Sequence, residues 1–187
     1  MDIDGIKNSI RNIPDVRKPG IQFKDITTWL QDEDAFETTI EAFYSAFKDK
    51  EIDVIVGIES RGFIFAAPLA LKLGCRFVLA RKPGKLPSET IAEEYALEYG
   101  TDAIEMHIDA INKSDKVLIV DDLLATGGTA KATGSVVKKL QGKIFSYAFL
   151  IILKGLKGDE LLKPVPVFNI LEYWSLIPII VSELRPS

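Results

Sequence analysis

Val117-Leu-Ile-Val120 is an unbroken apolar run that meets two carboxylates, Asp121 and Asp122, and Thr126-Gly-Gly-Thr129 then opens a helix to about Leu140. A strand apolar on both sides must be covered on both sides, which points to the interior of a parallel sheet. The same pattern recurs. Asp53 to Ile58, Arg76 to Ala80, Tyr147 to Leu153 and Pro166 to Leu171 read as buried strands. Between the first two, Glu59-Ser60-Arg61-Gly62 leads into an apolar helix to about Leu73, with Gly74 placed to end it. Apolar strands alternating with helices predict right-handed βαβ units. The expected fold is α/β, a parallel central sheet flanked by helices on both faces.

The two stretches outside this rhythm read differently. Apolar residues at Ile3, Ile6, Ile10 and Ile13 are spaced as in a helix, stopped by Pro14. Pro19-Gly20 marks a turn, and Ile21 to Ile26 alternates as an extended arm. Asp34 is placed to cap a helix through Phe36, Ile40, Phe43 and Phe47. The segment after Lys82 holds Pro83, Gly84, Pro87 and several acids, and Tyr95–Tyr99 and Ala103–His107 alternate with period two. It reads as a mobile loop leading into an antiparallel flap. The chain of 187 residues divides, as one domain, into an arm or hood at about 1–33, a core at about 34–82 and 115–187, and a flexible flap at about 83–114.

Composition narrows the function. With 47% hydrophobic and 27% charged residues the chain is not disordered. Its longest apolar run, Phe63 to Leu71, is interrupted by Pro68 and falls short of the roughly 20 residues of a membrane span. Met1-Asp-Ile-Asp4 lacks the basic-then-apolar order of a secretory signal. The one cysteine, Cys75, excludes an internal disulfide and a cysteine metal site, so a reducing, cytoplasmic location is expected. Cys75 reads as a small packed residue, His107 as structural or exposed, and Trp29 and Trp174 as packing residues. One histidine also excludes a multi-histidine metal centre. A net charge of −4 argues against a nucleic-acid binder. Any anion must be held by local cations and backbone amides.

Such a place exists after Val120. Ligands of open parallel sheets sit beyond the carboxyl ends of the strands, and a helix N-terminus presents free amides to a phosphate. Gly127 and Gly128 allow close approach, and Thr126 and Thr129 add hydroxyls. No Gly-Lys-Ser/Thr follows, so this is not a Walker loop. Asp121 and Asp122 suit the hydroxyls of a sugar. After the first core strand, Ser60-Arg61 can aim amides and a guanidinium fork at an anion. Arg81, Lys82 and Lys85 cluster near a second strand end, although such a run is usually a solvated face.

The string Val117–Thr129 resembles the phosphoribosyl pyrophosphate motif of the type I phosphoribosyltransferase family. Pro19-Gly-Ile-Gln-Phe-Lys-Asp25, Gly57-Ile-Glu-Ser-Arg-Gly-Phe63, Arg81-Lys-Pro-Gly-Lys-Leu-Pro87, Leu97-Glu-Tyr-Gly100 and Leu153-Lys-Gly-Leu-Lys-Gly158 are similar to the branch that uses adenine. The likeness runs from about Ile10 to Leu171. It implies transfer of a 5-phosphoribosyl group from phosphoribosyl pyrophosphate to adenine, giving AMP and pyrophosphate in purine salvage. It implies that Ala125, Thr126, Gly127, Gly128 and Thr129 hold the 5′-phosphate, and that Asp121 and Asp122 meet the ribose, directly or through water and metal. Ser60 and Arg61 would meet pyrophosphate, and so would Arg81, Lys82 and Lys85, some of these three from a partner subunit. Gln22, Phe23 and Lys24 would meet adenine, with Gln22 standing where many relatives carry an aliphatic residue. Glu98 would manage the proton near N7 of the base, with Tyr99 beside it in the flap. The sequence itself does not separate Glu98 from Glu93, Glu94 or Glu105. Mg²⁺ would be carried mainly by the substrate rather than by a dedicated protein cage, and the protein would be a homodimer. Two rivals share the fold: transfer to hypoxanthine, guanine, xanthine or orotate, and a non-catalytic regulator that binds DNA. The flap and arm motifs favour adenine, and the acidic charge disfavours DNA.

Overall fold

The computed structural model describes residues 5–7, 10–14, 22–96 and 100–174, with backbone alone at 12–14 and 22–24. Strand β1 (Arg11–Pro14) pairs antiparallel with β2 (Gln22–Asp25), Arg11 facing Asp25 and Pro14 facing Gln22. The helix expected up to Ile13 therefore gives way to a strand at Arg11. Ile6 and Ile10 are buried as their spacing asked, but backbone pairing to the arm fixes Arg11–Pro14. A short helix that the sequence pattern did not announce, α1 (Thr27–Leu30), buries Trp29.

Helix α2 (Glu33–Phe47) is capped by Asp32, not Asp34: the Ala35 amide donates to Asp32 Oδ1 at 3.0 Å. Asp34 lies in the first turn, where a carboxylate still suits the helix dipole. Strand β3 (Val54–Ile58) is buried throughout, α3 (Gly62–Leu73) follows, and Gly74 closes that helix at φ +67°. Strand β4 (Arg76–Ala80) was expected to be buried. Only Ala80 is, because β4 has β3 on one side and, among the described residues, no strand on the other. Strands β5 (Thr90–Ala96) and β6 (Thr101–His107) form the expected antiparallel flap, beginning earlier than expected, with Thr90 opposite His107.

Strand β7 (Lys116–Leu124) does not stop at Val120. It keeps its pairing through Asp121, opposite Phe149, to Leu124, opposite Ile152. Helix α4 (Gly128–Lys139), β8 (Lys143–Leu153), a 3₁₀ turn at Lys154–Leu156, the short α5 (Gly158–Leu161) and β9 (Val167–Tyr173) complete the described chain.

The central sheet runs β4-β3-β7-β8-β9, every neighbour parallel. Alternation along β7 sorts the core. Leu118 and Val120 face Phe43, Phe65 and Trp29 beneath α2 and α3, while Val117 and Ile119 face Val136 and Val137 of α4. The second face is covered by α4 together with the flap, which adds Ile104 and Met106. Trp29 stacks on Phe65 at 5.2 Å. Trp174 does not pack, being 75% exposed. Cys75 is half-buried, and burial pushes its thiol up. Among the described residues no helix is long and apolar enough to cross a membrane.

Candidate active site

From β3 the chain crosses by α3 to β4 on one side, and from β7 by α4 to β8 on the other. The sheet order reverses between β3 and β7. At such a switch point the two crossover helices leave a crevice beyond the strand ends. Both strong sequence signals empty into it.

Glu59 and Ser60, joined by a cis peptide, follow β3. Arg61 precedes α3, and its Nε lies 2.8 Å from Asp122 Oδ2 of β7. One ion pair thus bridges the switch point. The approach is close because residue 62 is glycine. A side-chain carbon there would lie 2.7 Å from the Val120 carbonyl oxygen and 2.9 Å from Asp121 Oδ1, distances that atoms of those types do not tolerate.

The carboxylates stand side by side on β7, so pleating sends them to different partners. Asp122 is buried and carries the pair with Arg61. Asp121 is half-buried and accepts the Asp122 amide at 2.9 Å. Burial, then repulsion from Asp122, pushes the Asp121 carboxyl well above the usual range. Burial also raises Asp122, and the Arg61 guanidinium pulls it back. A site that stores two acids in this way is prepared to meet donors: sugar hydroxyls, or a cation and its water.

The loop Ala125–Thr129 follows. Gly127 has φ +86° and precedes the first turn of α4, which has no side-chain cap. Thr126 is exposed and Gly127 buried. The loop rests on Gly158, whose carbonyl oxygen would lie 2.8 Å from a side-chain carbon at residue 127. Gly158 in turn has no room for a side chain beside the Ala125 carbonyl. This glycine-on-glycine floor was signalled in the sequence only by Lys154-Gly-Leu-Lys-Gly158.

The three cations after β4 are brought near the site, each already engaged. Arg81 Nε and Nη2 lie 3.3 and 3.4 Å from the two Glu59 oxygens, and the Lys85 ammonium binds the same carboxylate. The Lys82 ammonium turns instead to the flap, bonding Tyr95 Oη at 2.8 Å and pairing with Asp102. Burial alone would lower the Lys82 ammonium, but Asp102 and Tyr95 hold it above its usual value. The Tyr95 ring also lies against the start of α4, 3.4 Å from where a side-chain carbon at Gly128 would stand, so flap, cation loop and glycine-rich loop meet at this residue. Glu105 anchors the flap from below, accepting from the Gly84 amide and the Thr90 hydroxyl, both at 3.1 Å. Glu59 carried no assigned role in the sequence reading, and its place beside Ser60 was the available signal.

On the arm, Gln22, Phe23 and Lys24 lie in β2, described here by backbone alone. Their strand ends at Asp25, which accepts from the Thr27 amide and hydroxyl at 2.9 and 2.7 Å. Burial would raise that carboxyl, but Thr27, Arg11 and the field of Arg61 hold it low. Arg61 is thus close enough for the arm to feel its charge. Glu98 and Tyr99 lie outside the described residues. Among the described residues no three His, Cys, Asp or Glu side chains converge as a metal cage.

A sheet with its switch point lined by a glycine-rich loop at a helix N-terminus, paired acids and cations is the kind of site that suits a phosphorylated sugar. The family model for the phosphoribosyl transferase domain matches residues 24–178. An adenine phosphoribosyltransferase of Halothermothrix orenii is 56% identical over 89% of the chain and 98% of its own length. The crystal structure of the adenine phosphoribosyltransferase of Thermoanaerobacter pseudethanolicus superposes with a TM-score of 0.88 at 47% identity, covering 92% of this chain and all of that one. That of Saccharomyces cerevisiae, complexed with an imino-altritol bisphosphate and adenine, gives 0.85 at 40% identity over 90% and 98%. The chain belongs to the phosphoribosyl transferase domain family, on its adenine phosphoribosyltransferase branch.

Proposed function

We propose that this chain joins adenine to 5-phospho-α-D-ribose 1-diphosphate, releasing AMP and pyrophosphate, in purine salvage. The observation that carries the reading is the Arg61–Asp122 bridge across the switch point, beside an uncapped helix entered through Gly127. It joins an anion turn to a sugar-binding pair in one crevice. The bond from C1′ to the diphosphate oxygen breaks, a bond from N9 of adenine to C1′ forms, and the N9 proton leaves the base.

Ala125, Thr126, Gly127, Gly128 and Thr129 hold the 5′-phosphate, and Asp121 and Asp122 orient the ribose. Ser60 and Arg61 receive the departing pyrophosphate, with Arg81, Lys82 and Lys85 supplying positive field. Gln22, Phe23 and Lys24 border the base. Glu98, with Tyr99, shifts the proton through N7. The other flap acids support that assignment by being occupied or exposed: Glu105 holds Gly84 and Thr90, Glu93 pairs with Lys139 at 2.6 Å, and Glu94 faces solvent. Mg²⁺ fits here as a passenger of the substrate, since Asp121 and Asp122 could reach it through water but form no cage. When bound it neutralises charge on the diphosphate.

The protein works in the cytoplasm as a homodimer of single-domain chains. Edge strand β4 and the apolar side chains left outside, Leu71 at 84% and Phe77 at 36% exposure, support the dimer. Light scattering at working concentration is expected to give twice the 20.7 kDa chain mass, and a monomer would end that part of the reading.

The reaction is tested directly with Mg²⁺, phosphoribosyl pyrophosphate and adenine, with hypoxanthine, guanine and orotate in parallel. AMP is expected from adenine alone. Glu98→Gln is expected to lower turnover by about 10²–10⁴-fold, the usual worth of a positioned proton-transfer group. Turnover with another base would overturn the adenine assignment. Full activity in Glu98→Gln would remove that residue from the mechanism.

A further inference from the structure

We propose that Glu59 is a positioning residue for pyrophosphate, acting through Arg81 and Lys85. The inference rests on the assignment of pyrophosphate to the Ser60–Arg61 turn and adds a residue to it. Glu59 stands immediately before that turn, with its side chain 9% exposed. Four donors from one short loop reach its carboxylate: Arg81 Nε and Nη2, the Lys82 amide at 2.9 Å, and the Lys85 ammonium.

The division of labour follows from exposure and geometry. Arg81 spends Nε and Nη2 on Glu59 and Nη1 on the Lys85 carbonyl oxygen at 3.1 Å, so its fork ties the loop Arg81–Lys85 to Glu59. Lys85 is different. Its side chain is 49% exposed, and an ammonium has three donors. One can stay on Glu59 while others take an incoming anion. A single carboxylate facing two cations leaves a positive surplus within two residues of Arg61. The charges of the loop are therefore preorganised before any ligand arrives, which spares the ordering cost on binding. Burial would raise the Glu59 carboxyl, but Lys85, the Lys82 amide and Arg81 together hold it below its usual value, so it stays ionised at neutral pH.

AMP lacks the pyrophosphate, and this separates positioning from general structural support. Calorimetric titration of Glu59→Gln and Glu59→Ala with pyrophosphate–Mg²⁺, and separately with AMP, provides the test, alongside KM for each substrate. The expected result for Glu59→Gln is about tenfold weaker pyrophosphate binding and an equal rise in KM for phosphoribosyl pyrophosphate, the worth of one charge-assisted contact. AMP affinity and KM for adenine stay within about twofold of the parent by the same argument. Where Glu59→Ala fails to fold, Glu59→Gln decides alone. Unchanged or tighter pyrophosphate binding overturns the proposal, the latter by showing that Glu59 competes with the anion. So does a parallel loss of AMP. A parent chain that neither binds pyrophosphate nor forms AMP would instead fail the functional reading before Glu59 is touched.

Discussion

Gly127→Ala is expected to cost AMP affinity a factor of 100 or more and to lower stability by about 2–3 kcal/mol. Two costs combine. At φ +86° the residue occupies a region that a side chain disfavours. The added carbon would also lie 2.8 Å from the Gly158 carbonyl oxygen, which is backbone and cannot rotate aside. Relief must come from moving the loop or the floor beneath it. Either displaces the amides that open α4, and a phosphate is held by the direction of those amides as much as by their presence. Equilibrium binding of AMP and urea unfolding measure the two effects. Parent-like AMP affinity in a folded Gly127→Ala would show that the loop does not hold the phosphate.

Asp121→Asn is expected to do the opposite to the fold while ruining the enzyme. The amide keeps an oxygen for the Asp122 N–H, now received at 2.9 Å, and removes a carboxyl that burial, and then repulsion from Asp122, holds well above its usual range. Stability should rise by about 1–2 kcal/mol, or roughly 2–8 °C in Tm for a chain of this size. The sign of the pH dependence is fixed. Asp121 holds its proton more tightly folded than unfolded, so the parent loses stability as pH rises above the ordinary carboxylate value. Below that value parent and variant should differ little. The gap should widen with rising pH and level off once the folded carboxyl has ionised. Turnover should fall about 10²-fold through lost orientation of the ribose. Calorimetric melts across pH, paired with the AMP assay, decide it. A variant less stable than its parent at neutral pH would mean that the carboxylate pair supports the fold.

The core was legible because apolar runs such as Val54–Ile58 and Val117–Val120 have one stable solution. Gly74, Gly127 and the acids of β7 could be placed from local chemistry alone. What escaped depends on partners distant in sequence. Strand Arg11–Pro14 is set by pairing across to β2, which overrode a helical spacing. The exposure of β4 is a matter of sheet order, which a single strand cannot express. Asp32 and Asp34 are equally good caps locally, and the start of the buried stripe at Ala35 chose between them. In the site, residue types were visible but engagements were not. That Arg81 and Lys85 share Glu59, while Lys82 turns to Tyr95 and Asp102, needed three dimensions.

The order of the strands also sets a timetable. β3 pairs with β7, Val54 beside Val117, across the whole flap and edge strand. During synthesis, at about 5–20 residues per second, β3 and the apolar helix α3 emerge seconds before their central neighbour. Until β7 arrives, Phe65, Ala66 and Leu69 lack one wall of their core, and Arg61 has no Asp122. Assembly of the crevice therefore coincides with closure of the sheet. A nascent chain halted in the flap would display a greasy, unsealed half-domain to whatever chaperone is at hand.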